Sequence, residues 1–144
     1  MGKNRTAEPA PAAEGAKDAA AGKSKGARRR VEAGTLYVQA TFNNTKVLLT
    51  DTRGNAVMQS SSGALGFTGA KKGTPFAAAK VGEILAEKAE ALGLKAIDVI
   101  VKGIGAGRES AIRSFTSRGV QIKSIRDMTP VPFNGPTKRK PRRV

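Results

Sequence analysis

AIDVIVKGIGAGRES, residues 96–110, begins as an aliphatic run, breaks into three alternating glycines and ends in charged sequence. Residues 96–101 read as a strand, being short and rich in Ile and Val. Gly103, Gly105 and Gly107 read as a tight turn. From Gly107 to Arg118 the pattern is helical, with Ala111, Ile112 and Phe115 on the apolar side and Gly119 as the stop. VQIKSIRDM (120–128) follows as another strand. Strand, turn, helix and strand make a βαβ crossover, which is right-handed and sets its strands parallel. The fold is therefore α/β. The near-continuous apolar character of 96–101 predicts a central strand covered on both faces.

Upstream, TLYVQATF (35–42) alternates, with Leu36, Val38, Ala40 and Phe42 on one face. Asn43-Asn44 supplies a turn, because asparagine tolerates left-handed backbone angles. TKVLLTDT (45–52) returns as a second strand, and Arg53-Gly54-Asn55 turns into a third, AVMQSSS (56–62). SGALGFTGAKKG (62–73) is a glycine-rich basic loop. Thr74-Pro75 opens a helix, with threonine at the cap and proline in the first turn. Ala77, Val81, Ile84, Leu85 and Leu92 form its apolar stripe, and Gly93 ends it. The predicted order is β-β-β-α-β-α-β. It makes a mixed five-stranded sheet with two packed helices, of ribonuclease-H-like topology. Strands three, four and five are parallel where they share a sheet. Phe42, Phe76 and Phe115 fall on core faces, and Phe67 and Phe133 in loops.

The 144 residues divide by composition. Residues 1–33 hold no large apolar side chain between Met1 and Val31 and read as a disordered Ala/Gly/Lys-rich extension. Residues 34–128 are the folding unit. Residues 129–144, TPVPFNGPTKRKPRRV, carry five basic residues and no acid, and their prolines keep them extended. The chain has 26 Lys and Arg against 11 Asp and Glu, a net charge of +15. Such an excess points to a polyanion, nucleic acid first. No apolar run approaches the roughly 20 residues of a membrane span. Without cysteine or histidine, thiolate and imidazole chemistry and zinc sites of the usual kind are excluded. No metal site, catalytic residue or cofactor is expected. No apolar signal segment opens the chain, so the cytoplasm is the expected location.

The glycine turn does not fit a bound nucleotide. A dinucleotide fingerprint needs a third glycine where Arg108 stands, and no Gly-Lys-Ser/Thr follows as in a P-loop. Three glycines in five residues suggest instead that another backbone approaches closely. A helix N-terminus with Arg108 beside it suits a phosphate of a nucleic-acid backbone. Removing Arg108 is expected to lower the salt slope of binding by about one unit. A purely structural turn is the competing reading.

Four separated motifs carry a resemblance: FNNT (42–45), GFTGAKKGTPFAA (66–78), VKGIGAGRES (101–110) and DMTPVPFNGPTKRKPRRV (127–144). In order and spacing they resemble the universal small-subunit ribosomal protein eleven family, over about residues 34–144. The resemblance implies the fold just described and a structural role without enzymatic activity. It implies binding to small-subunit ribosomal RNA on the platform, near the messenger RNA exit and the region where the messenger's leader pairs. The neighbours implied are platform proteins six, eighteen and twenty-one, with no membrane and no homo-oligomer. Asn43 and Asn44 match the family's asparagine turn and Lys71-Lys72 its basic loop. Gly103, Gly105, Gly107, Arg108 and Glu109 match its glycine turn. Asn134-Gly135 and Lys138, Arg139, Lys140, Arg142 and Arg143 match its RNA-threading tail. Lys46, Arg53, Arg113 and Arg118 join these as candidate RNA contacts. Ile104 and Ala106 stand where the family commonly has proline, Phe133 where it has histidine, and Thr68 where it has arginine.

Two other functions compete. A metal-dependent nuclease needs clustered carboxylates, and the candidates are Asp51, Asp98, Glu109 and Asp127. The first strand carries no acid, and Asp51 stands where ordinary turn chemistry uses aspartate. A histone-like DNA compactor explains the charge but not the glycine-rich sites on a folded core.

Overall fold

Alternation builds the sheet. The computed structural model describes residues 30–143; the predicted extension lies, up to residue 29, outside the described residues. In β1 (Ala33–Ala40) every second side chain is buried, including Leu36, Val38 and Ala40. β2 (Thr45–Asp51) pairs antiparallel to it, setting Val47 opposite Val38 and Leu49 opposite Leu36. β3 (Ala56–Ser61) continues the meander antiparallel to β2. A short 3-10 turn (Gly69–Gly73) leads into α1 (Pro75–Ala91). β4 (Ala96–Lys102), α2 (Gly107–Thr116) and β5 (Gln121–Asp127) complete the chain's regular elements.

The sheet order is β3-β2-β1-β4-β5. β4 is parallel to β1, and β5 to β4. The mixed five-stranded α/β sheet is as expected, and its order is compatible with ribonuclease-H-like topology. β4 does not lie beside β3. The first crossover carries the chain past β2 and β1 to pair with β1.

That step decides where the helices sit. From β3 to β4 and from β4 to β5 the chain moves toward the same edge. Crossovers of one hand moving in one direction place their helices on one face. α1 and α2 accordingly pack on each other, with Gly82 of α1 so close to α2 that a Cβ there would meet the Ala111 carbonyl at 2.5 Å. The opposite face of the sheet has no helix among the described residues. The expectation that β4 is covered on both sides is therefore corrected: Ile97, Val99 and Val101 are buried, whereas Asp98 and Lys102 are exposed and Ile100 half-buried.

The core lies between the helices and the covered face. Leu36, Leu49, Val81, Leu85, Ile97 and Phe115 are among its members. Each such side chain contributes about 1.5–3 kcal/mol of hydrophobic stabilisation. Ile84 and Leu92, assigned to the stripe of α1, are only half-buried, and the inner face is made instead with Ala78, Gly82, Ala86 and Ala89. Small residues let the two helices approach.

Two of the three phenylalanines placed in the core are outside it. Phe42 is 73% exposed because β1 ends at Ala40 and the turn breaks the alternation. Phe76 is 64% exposed in the first turn of α1, where it meets Phe67 edge-to-face at 6.1 Å under the ammonium of Lys80. Phe115 is fully buried. Phe115→Ala is expected to destabilise the fold by about 3–5 kcal/mol and Phe42→Ala by no more than about 0.5 kcal/mol. Chemical denaturation of the two variants measures both.

Candidate nucleic-acid interface

β1, β3, β4 and β5 run in one direction. Their carboxyl ends meet at one end of the sheet, the usual binding end of an α/β fold. Four irregular segments follow from them there. They are the turn after β1, the basic loop after β3, the glycine turn after β4 and the tail after β5.

The turn after β1 is the hub. The Thr41 hydroxyl donates to the Asn44 carbonyl at 3.0 Å and accepts from the Asn44 N–H at 3.1 Å. The glycine turn lies directly on it. Gly105 N–H donates to the Ala40 carbonyl at 3.0 Å. A Cβ at Gly103 would strike the Ala40 carbonyl, one at Gly105 the Thr41 carbonyl and one at Gly73 the Phe42 carbonyl. Gly103 also has φ of +96°, which side-chain-bearing residues rarely adopt. The close backbone approach read from the glycine spacing is thus real, and its partner is the asparagine turn. Gly107, the first residue of α2, rests on Thr45 and on Ala78 of α1. The N-termini of both helices consequently converge here.

Their caps differ. Thr74 accepts a hydrogen bond from the Ala77 N–H at 3.3 Å and caps α1. No side chain caps α2, so its first turn keeps donors and partial positive charge for an outside acceptor. Among the described residues, Asn44 Oδ1 and Thr45 Oγ1 are the buried side-chain oxygens without a hydrogen-bond partner, and both belong to this end.

Arg108 is used internally. One guanidinium nitrogen donates to the Gly103 carbonyl at 2.8 Å and another to Asp127 Oδ2 at 2.5 Å. Thr129 donates from its hydroxyl to Asp127 Oδ1 at 2.6 Å, and its hydroxyl accepts from the Gly103 N–H at 3.2 Å. Glycine turn, helix start, strand end and tail root are fastened by this one network. It holds the Asp127 carboxyl down to about 2, through the Thr129 hydroxyl first and Arg108 next.

The remaining candidates separate by location. Lys46, Lys71 and Lys72 belong to the hub end and have no carboxylate partner among the described residues. Lys46 and Lys102 both face Gln39 across the ladders on the helix-free face, forming a row of two cations. Arg53 lies in the β2–β3 turn at the opposite end of the sheet. Arg118 follows α2 and pairs with Glu87 at 2.7 Å. Arg113 is exposed in the last turn of α2. Asn134, Gly135, Lys138, Arg139, Lys140, Arg142 and Arg143 lie in an exposed segment without helix or strand. Asn134 has φ of 54°, the left-handed conformation expected of an Asn-Gly turn.

Sequence reasoning missed Lys102 and Thr129, and it weighed Asp127 only as a carboxylate for metal chemistry. Lys102 was legible as the first polar residue after the β4 run. The clasp was not, because its partners are 19 and 26 residues apart. The carboxylates weighed for metal chemistry are dispersed. Asp51 binds the Arg53 and Asn55 N–H groups in the far turn. Asp98 accepts from Ser124 on the helix-free face, and Asp127 is in the clasp.

Residues 34–143 match the family model described as ribosomal protein S11. The chain belongs to the ribosomal protein S11 family. It is 52% identical over 122 residues to the small ribosomal subunit protein uS11 of Treponema pallidum subsp. pallidum. The same figures hold for that of the Nichols strain of T. pallidum. The alignment covers 85% of this chain and 97% of either relative. The family is one of structural ribosomal proteins, not enzymes.

The clasp sets a pH prediction. A carboxyl depressed in the folded protein adds stability that is present above its unfolded value, near 3.8, and is lost as pH falls toward about 2. The side-chain NMR resonance of Asp127 is expected to titrate near 2. In Thr129→Val the midpoint moves up toward the ordinary value.

Proposed function

We propose that this chain is a structural component of the small ribosomal subunit that binds small-subunit ribosomal RNA with the hub end and the tail. The observation that carries the reading is the convergence at one end of two helix N-termini, an asparagine turn and lysines without carboxylate partners. Membership in a ribosomal protein family and relatives named for the small subunit support it. Following the family resemblance, we place the RNA site on the platform, near the messenger RNA exit and leader-pairing region. Proteins six, eighteen and twenty-one are neighbours there, in cytoplasmic ribosomes.

The mechanism is electrostatic and steric. Backbone packed on backbone fixes the glycine turn and both helix starts. Phosphates meet N–H donors of α2 and the ammonium groups of Lys46, Lys71, Lys72 and Lys102. Phe42 and Phe76, exposed at the same end, offer faces to unpaired bases. The tail brings five more cations without a competing acid. Each neutralised phosphate releases counterions.

Two experiments test this. Tagged protein in a sucrose gradient of cell lysate is expected with the small subunit, near one-to-one, at low and high magnesium. Migration at the top of the gradient without ribosomal RNA overturns the reading. In salt titrations of RNA binding, Lys71→Ala with Lys72→Ala is expected to lower the slope by about 1.4–1.8 units. Arg108→Ala combined with Asp127→Asn is expected to leave the slope nearly unchanged, because the two charges are paired with each other and removing both leaves the net charge as it was.

A further inference from the structure

The helix layer stops short of β5. Ile122 pairs with Ile97 and Ile125 with Val99 across the β4–β5 ladder. Ile97 and Val99 are wholly buried on the helix side, so the two isoleucines of β5 point to that side as well. Yet Ile122 is 38% and Ile125 60% exposed. α2 packs on α1 and over β1, and it ends at Thr116. The helices therefore leave the edge strand only half covered. The result is a groove between α2 and β5 in which Val101, Ile112 and Ile125 supply apolar surface and Glu109 a carboxylate. Exposed aliphatic rows on an edge strand are normally covered.

We propose that this groove docks a basic segment of a neighbouring protein, an aliphatic side chain seated between Ile112 and Ile125 and a lysine or arginine meeting Glu109. Charge decides between the classes of occupant. Among the described residues the one cation lining the groove is Arg108, already matched by Asp127. Glu109 has no ion-pair partner among the described residues, and its carboxylate repels a phosphate backbone. The lining has no aromatic ring on which a base could stack. A basic protein segment satisfies both halves of the groove: the apolar walls and the lone carboxylate. This surface adjoins the phosphate-binding end, sharing Gly105 of the glycine turn and Arg108 and Glu109 of the start of α2, and rests on the small-subunit reading only in where the partner is sought.

The test uses a photo-crosslinking residue in place of Ile125 in the full chain, assembled in cells, with small subunits purified and irradiated. Co-migration of the labelled chain reports on the small-subunit reading, and the adduct reports on this one. The expected adduct is with one protein segment, at an aliphatic residue with a lysine or arginine within about one helical turn. Glu109→Lys is expected to lower its yield about tenfold. An adduct on ribosomal RNA, or on a second copy of this chain, overturns the proposal. The chain contains no cysteine, so Ile125→Cys gives a second readout that needs no bulky label. Maleimide is expected to react with free Ile125→Cys protein and not with the same protein in the subunit. Equal reaction in both overturns the proposal too.

Discussion

The contact on which the rest depends is backbone against backbone, where the glycine turn lies on the carbonyls that end β1. No side chain fits between Gly103 and Ala40, or between Gly105 and Thr41. That fit sets the height of α2 above the sheet and brings its first residue against Thr45 and Ala78. Because Ala78 belongs to α1, the same contact brings the starts of both helices together. Gly73 repeats the arrangement against Phe42 and draws the basic loop to the same place. Polar backbone is thus concentrated at one end of the fold, and the lysines hang from loops that the packing has already positioned.

Topology sorts the charges. At the hub end Lys46, Lys71, Lys72 and Lys102 have no carboxylate partner among the described residues. Away from that end two arginines sit near acids: Arg118 pairs with Glu87, and Arg53 follows Asp51, whose carboxylate holds the turn. A net charge of +15 is therefore not a uniform coat. Field strength toward a polyanion rises at the end where solvated cations accumulate. The one-sided helix layer has the same origin. Two crossovers stepping toward one edge leave the far face without a helix among the described residues and the last strand half covered.

Local patterns were legible in the sequence. Alternation over 35–40, the Thr74-Pro75 start, the glycine stops and the strand-turn-helix at 96–110 each correspond to an element in place. Long-range order was not. Nothing in residues 96–101 reveals whether β4 pairs with β3 or with β1, and that choice decided which face is bare. Phe42 was misplaced because alternation continues on paper one step beyond where the strand turns. Phe76 was misplaced because a phenylalanine in a first helical turn lies beside the apolar stripe, not in it. Of the candidate site, the glycines and the lysine loop were readable from composition and spacing. Their meeting point was not, since it depends on strand order.

Arg108 shows why residue type alone does not assign a role. A forked cation at an uncapped helix start is a natural phosphate ligand, yet its fork is filled by Gly103 and Asp127. The alternative would leave Asp127 as an unmatched anion at the strand end from which the tail departs, beside the donors of α2. Repulsion of phosphate from that carboxylate would cancel much of what a free Arg108 gained. Pairing the two removes both charges from the balance and turns them into a hinge pin for the tail, with Thr129 completing the bond to the Gly103 N–H. The clasp thus serves the proposed interface indirectly: it subtracts a negative field and fixes the direction in which five further cations leave the fold.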